Sequence, residues 1–222
     1  MAARGLWVVL LGASVMLGGC LNSTVEPSSE ANFTPRDKKL LAAAPYENVT
    51  IPEPYKRHIV SYHRKELPGT IVIDSDARYL YYVLADGQAI RYGVTVGDEA
   101  LAWSGVAKVG RMTEWPTWTP TAEIKKRMDV PDFVGSGPQN PMGARALYLF
   151  DGNKDTMYRI HGTNQPEYIG QAISSGCIRL TNEDVIDLYK RVKQGTVVVV
   201  MAPHQGDSPF SPRMASTAGS VR

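Results

Sequence analysis

Residues that carry chemistry unaided are scarce in this chain: two cysteines and four histidines among 222 residues. A membrane-spanning helix needs about 20 apolar residues in a row. The apolar stretch from Leu6 to Leu17 is too short to be one. Neither sign of charge dominates. Basic and acidic side chains number 24 and 22, and no Lys/Arg-rich run appears, so there is no electrostatic footprint for nucleic acid. His58 and His63 lack the i,i+4 spacing of a helical metal pair, and no cysteine or carboxylate pair nearby completes a ligand set. No internal repeat is visible. What remains, 43% hydrophobic and 21% charged, suits one ordinary domain with extensions and is enough for a core.

Arg4, the apolar stretch and Gly18-Gly19-Cys20 together read as a secretory signal over residues 1–19. Leu17-Gly18-Gly19-Cys20 resembles the bacterial lipoprotein box, in which the cysteine is acylated and becomes the mature N-terminus. More than one acyl chain gives stable anchoring. The resemblance implies a periplasmic protein, held to the outer membrane by its lipid alone because Leu21 replaces the aspartate of inner-membrane retention. With Cys20 acylated, Cys177 has no partner in an oxidising compartment, and such an unpaired thiol reads as reactive.

Residues 20–44, rich in Ser, Thr, Pro and Ala, read as a flexible tether. Residues 45–68 read as a lead-in that packs on the following domain. That domain, residues 69–201, opens as β structure: strands over Thr70–Asp74, Tyr79–Leu84, Ala89–Val96 and Gly105–Arg111, with Asp86-Gly87 as a hairpin turn. Thr119 is a candidate cap for a helix with Pro120 at its first position and Ala122–Met128 following. Trp115 and Trp118 are expected as core packing. A Gly/Pro-rich loop spans 131–142, and a strand covers Arg145–Phe150, with Arg145 equally suited to substrate contact or structure. Asn182–Lys193 has helical spacing, and Thr196–Met201 reads as a buried strand. Residues 202–222 read as a disordered tail. The fold class is mainly β, a sandwich or barrel-like sheet with one or two short helices.

The chain is organised around Tyr158–Leu180. His161 ends a strand, and Cys177 lies sixteen residues later in a Ser/Gly turn. A thiol nucleophile and its base are brought together by a fold in this way. Thr181 follows as a helix cap. Gly162 and Gly176 permit close approach, and the turn can aim successive N–H groups at one point, as an oxyanion hole requires. At these residues, His161-Gly162, the spacer and Ser174-Ser175-Gly176-Cys177-Ile178-Arg179, the chain resembles the catalytic signature of the L,D-transpeptidases. Asn140-Pro141-Met142-Gly143 resembles the segment that lies beside their active site. Many members carry histidine where this chain has Ser175.

The resemblance implies a peptidoglycan cross-linking acyltransferase of YkuD-like fold, without metal or organic cofactor. Cys177 is then the nucleophile, His161 the base, and the carbonyl of Gly162 its orienter. Backbone N–H groups of Cys177 and of Gly176 or Ser175 would form the oxyanion hole. Arg179 would hold the site or steer a substrate carboxylate, Ser174 would support the turn, and Asn164 and Tyr158 would contact substrate. The implied partners are peptidoglycan stem peptides and, in some relatives, an outer-membrane lipoprotein lysine as acceptor.

Overall fold

The computed structural model describes residues 33–46, 49–97, 103–174 and 176–205. The signal segment, the lipidation candidate Cys20, Ser175 and residues 206–222 of the expected tail lie outside the described residues.

Short β-branched and aromatic runs become strands where the sequence places them: β2 (Ile71–Asp74), β3 (Tyr79–Val83), β4 (Gln88–Gly93), β6 (Gly105–Glu114), β7 (Arg145–Asp151), β8 (Lys154–His161) and β11 (Val197–Val200). Four strands are additional to that reading: β1 (His58–Ser61), β5 (Val96–Gly97), β9 (Ala172–Ser174) and β10 (Ile178–Arg179). The single strand expected over Ala89–Val96 stops at Gly93, where the chain leaves the sheet, and β5 is separate from it. Nine of the strands form one sheet in the order β1-β4-β3-β2-β11-β6-β7-β8-β10, while β5 and β9 make a small parallel pair. Asp86 and Gly87 both take positive φ, 58° and 65°, the geometry that matches the twist of a two-residue hairpin.

The chain leaving β4 crosses to the far end of the sheet, where Thr95 bridges Arg179 of β10. Two elements from opposite ends of the strand order can meet only if the sheet curls back on itself. Ile71, Ile73, Leu80, Val109, Leu147, Leu149, Ile160 and Val198 fill the enclosed space. The four consecutive valines of β11 divide between two faces: Val198 and Val200 enter this core, and Val199 packs on a second cluster around Tyr62, Val72 and Met201. Helix α3 (Asn182–Arg191) adds Val185, Ile186 and Leu188 to the core.

The main departure from expectation lies upstream. Within the stretch read as a flexible tether, Pro35–Leu41 forms helix α1, with Thr34 and Asp37 making a reciprocal capping box. Asp37 is buried and takes two hydrogen bonds from the Arg145 guanidinium, at 2.9 and 2.8 Å, and one from Trp115 Nε1 at 2.8 Å. A polar side chain anchors this helix, which composition and hydrophobic period do not register. Arg145 is thereby structural, and Trp115 is core packing as expected.

The described residues of the lead-in are held on the domain. Arg57 is buried, 3.1 Å from Asp187 of α3. Helix α2 (Ala122–Arg127) is capped by Thr121, whose hydroxyl accepts from the Ile124 N–H, rather than by Thr119. Pro120 therefore precedes the cap instead of opening the helix. Helix α3 ends two residues earlier than expected, at Arg191 with Val192 as extended C-cap.

Burial alone would raise the Asp37 pKa, but hydrogen bonds from Arg145, Thr34 and Trp115 bring it down from 3.8 to about 2. The folded pKa is depressed, so the stabilisation is complete above the ordinary value and is lost as pH falls toward 2. Breaking a buried ion pair from one side leaves the other charge uncompensated. Asp37→Asn is therefore expected to destabilise by about 3 kcal/mol, read as a shift in the urea midpoint, while Lys38→Ala on the exposed face stays within about 0.5 kcal/mol.

Candidate active site

Strand β10 lies parallel to β8, with Ile178 opposite Ile160 and Arg179 opposite His161. Side chains alternate along a strand. Ile160 and Ile178, both buried in the core, face inward, so Arg159, His161 and Arg179 stand on the other face. Cys177 is one residue before β10 and in the same phase, and its thiol lies beside the Arg159 backbone N–H. The sheet thus gathers the histidine, the thiol and two guanidinium-bearing residues on one side.

The turn before the cysteine is held by Ser174, whose hydroxyl donates to the Cys177 carbonyl at 2.6 Å and accepts from the Gly176 N–H at 3.3 Å. Gly176 takes φ 115°, a conformation side chains disfavour. It also lies so close to β5 that a Cβ on Gly97 would sit 2.8 Å from its Cα. The Gly176 N–H is used inside the turn, which removes it as an oxyanion donor. Among the described residues no acceptor meets the N–H of Cys177.

His161 is buried, and its Nδ1 donates to the Gly162 carbonyl at 2.6 Å. A carbonyl can only accept, so Nδ1 carries the hydrogen and Nε2 of the neutral ring keeps its lone pair. Burial, reinforced by the nearby Arg179 charge, drives the His161 pKa down to about 3 despite the Gly162 carbonyl. Burial likewise raises the Cys177 thiol, against the Arg159 N–H and the Arg159 and Arg179 charges, which favour the thiolate. Both groups are therefore neutral in the resting site, a neutral imidazole and a protonated thiol on one face of the sheet.

Around them, Tyr158 stacks on Trp103 with ring centroids 5.6 Å apart, and burial and the Cys177 charge raise its phenol. Asn164 Nδ2 donates to the Gln139 carbonyl at 3.0 Å, which fastens the 131–142 loop beside the site. The Asn164 Oδ1 and Arg179 Nε atoms are buried with no hydrogen-bond partner among the described residues.

The segment from residue 68 to residue 200 matches the L,D-transpeptidase catalytic domain, YkuD. The chain belongs to this family. Probable L,D-transpeptidase YbiS of Escherichia coli K12 is 36% identical over 139 residues, covering 59% of this chain and 43% of that one. A putative L,D-transpeptidase from the ATP synthase subunits region of Fuscovulum blasticum is 37% identical over 136 residues, covering 59% of this chain and 68% of the relative. The chain spans less than half the length of the Escherichia coli relatives it matches, 43% of YbiS and 46% of ErfK/SrfK. A solved structure from Brucella melitensis, described as a probable carnitine operon oxidoreductase, is 46% identical and covers 68% of this chain and 96% of its own, with a TM-score of 0.46. A superposition at that score supports no argument about activity.

Cys177, His161, Gly162, Gly176, Ser174, Arg179 and Tyr158, singled out in the sequence, converge here, with Asn164 at the rim. Two residues were not anticipated. Arg159 was signalled by its place two residues before His161 on a strand, since period-two spacing puts both on one face. Asn182 looked like ordinary helix sequence. Its Oδ1 accepts from the Ala144 N–H at 2.8 Å and its Nδ2 donates to the Thr163 carbonyl at 2.9 Å, so one buried amide ties the residue after Gly162 to the residue before β7.

A preformed thiolate–imidazolium pair would give alkylation at a constant rate through neutrality. With both groups neutral at rest and the thiol raised, the rate of Cys177 alkylation by iodoacetamide is expected to climb with pH, without a plateau between about 6 and 8, toward a midpoint above the ordinary thiol value near 8.5. Stopped-time labelling of the folded protein across this range checks it.

Proposed function

We propose that this protein is a peptidoglycan L,D-transpeptidase that works through a cysteine thioester. The observation that carries this reading is the neutral His161, its Nδ1–H fixed on Gly162, on the same sheet face as Cys177 in a chain of this family. The donor is a tetrapeptide stem, attacked at the bond between diaminopimelate and D-alanine. The Cys177 thiol gives its proton to His161 Nε2 as sulfur bonds to the carbonyl carbon. The N–H of Cys177 stabilises the oxyanion. The C–N bond then breaks, His161 returns the proton to the leaving amine, and D-alanine departs. An acceptor amine attacks the thioester, passes a proton to His161, and the thiol is regenerated. The acceptor is the diaminopimelate amine of a second stem or the lysine of an outer-membrane lipoprotein.

The partnerless Nε of Arg179 and Oδ1 of Asn164 suit a substrate with carboxylate and amide groups, since a buried polar atom gains most from a partner that arrives with the ligand. The same reading makes the thiol a target for acylation by carbapenems. Residues 1–20 support export and a lipid anchor on Cys20, which would place the domain in the periplasm at the outer membrane.

Disaccharide-tetrapeptide incubated with the protein is expected to yield a dimer lacking one D-alanine by mass spectrometry. Cys177→Ala should abolish the product, and His161→Ala should lower kcat by ~10²–10⁴-fold, the usual contribution of a positioned base. Loss of D-alanine without a dimer would instead mark a carboxypeptidase. No change in any sample would leave a wall-binding protein without this activity.

A further inference from the structure

The chain ahead of the matched domain sends three side chains to the back of the active site. Asp37 of α1 holds the Arg145 guanidinium, and the Arg145 carbonyl accepts the Gly162 N–H at 3.0 Å. The hydroxyl of Tyr46 meets Nδ2 of Asn182, the amide that also ties Ala144 to Thr163. The Tyr55 ring lies against Gly170, where a Cβ would come within 2.3 Å of it, and Tyr55 also crowds Gly93. Gly170 in turn donates to the Val94 carbonyl at 3.1 Å, and the next residue, Thr95, exchanges both backbone hydrogen bonds with Arg179.

The Asp37 and Tyr46 contacts share a destination. Gly162 and Thr163 lie past the end of β8, and the Gly162 carbonyl aims the His161 ring. A Cβ on Gly162 would fall 2.2 Å from Asn182 Oδ1, so amide and backbone are in direct contact and a rotation of one moves the other. Asn182 is buried, whereas the Tyr46 that steadies it is only half-buried and comes from outside the family domain. We propose that the segment from Thr34 to Tyr55 is a positioning element of the active site, with Tyr46 setting the Asn182 amide and, through it, the aim of His161 at Cys177.

The kinetic part of the test rests on the transpeptidase reading; the exchange part does not. Tyr46→Phe removes only the hydroxyl. Tyr62→Phe is the control, because it removes a phenol hydroxyl that donates to Glu66 at 2.9 Å. In the full chain, Tyr46→Phe is expected to speed solvent exchange of the His161 Nδ1–H, held on the Gly162 carbonyl, by ~10-fold in proton NMR, and to lower kcat by ~10-fold with KM nearly unchanged, the pattern of a misaimed catalytic group. Tyr62→Phe should change neither, and the two variants should melt at similar temperatures. Unchanged exchange in Tyr46→Phe, or an equal change in both variants, would overturn the proposal and make the segment a buttress of stability alone. If the wild type cross-links nothing, the transpeptidase reading fails, and the exchange comparison still decides this one.

Discussion

The site depends on a two-residue parallel pairing. β10 contributes only Ile178 and Arg179 to the sheet, but their register on Ile160 and His161 decides which side chains share a face. Two isoleucines inside the core lock that register, because a slip by one residue would turn Ile178 outward and carry Cys177 and Arg179 inward. The core pairing of Ile160 with Ile178 is therefore what puts the thiol and the imidazole on one face. The turn bonds of Ser174 and the bridge to Thr95 then finish the placement from either side.

Burial sets the electrostatics of what is aligned. The pocket that holds His161 makes its charged form costly, and the neighbouring Arg179 adds to that cost. The same surroundings keep the thiol protonated, although two arginines favour its ionisation. Such a site stores no separated charge at rest. A thiol kept protonated is also less open to oxidation than a standing thiolate.

Much of this was legible in the residues. Period-two alternation located the central strands, Asp86-Gly87 gave its turn, and the His161-Gly162 and Ser174 to Arg179 segments pointed to the chemistry and its participants. What escaped did so for physical reasons. Helix α1 is short, and only Leu40 and Leu41 at its end join Asp37 in docking it, too few for a scan for apolar faces, even though Thr34, Pro35 and Asp37 spell a capped start. Strands β9 and β10 are too short to carry a period and exist only because neighbours accept their hydrogen bonds. Asn182 sits at the first helical position, where asparagine is unremarkable in sequence, and its role follows from folding rather than from its neighbours in the chain. Gly176 could be read as a conformational requirement, but not that its N–H is consumed by Ser174.

The bridge between Thr95 and Arg179 has a further meaning for recognition. Arg179 gives both its N–H and its carbonyl to Thr95, each at 2.9 Å, so the sheet border beside Cys177 has no open backbone groups at that residue. A peptide arriving there cannot extend the sheet as an added strand, the common way enzymes hold extended chains regardless of sequence. It is met by side chains instead. At Arg179, recognition then falls to side chains rather than to a β ladder.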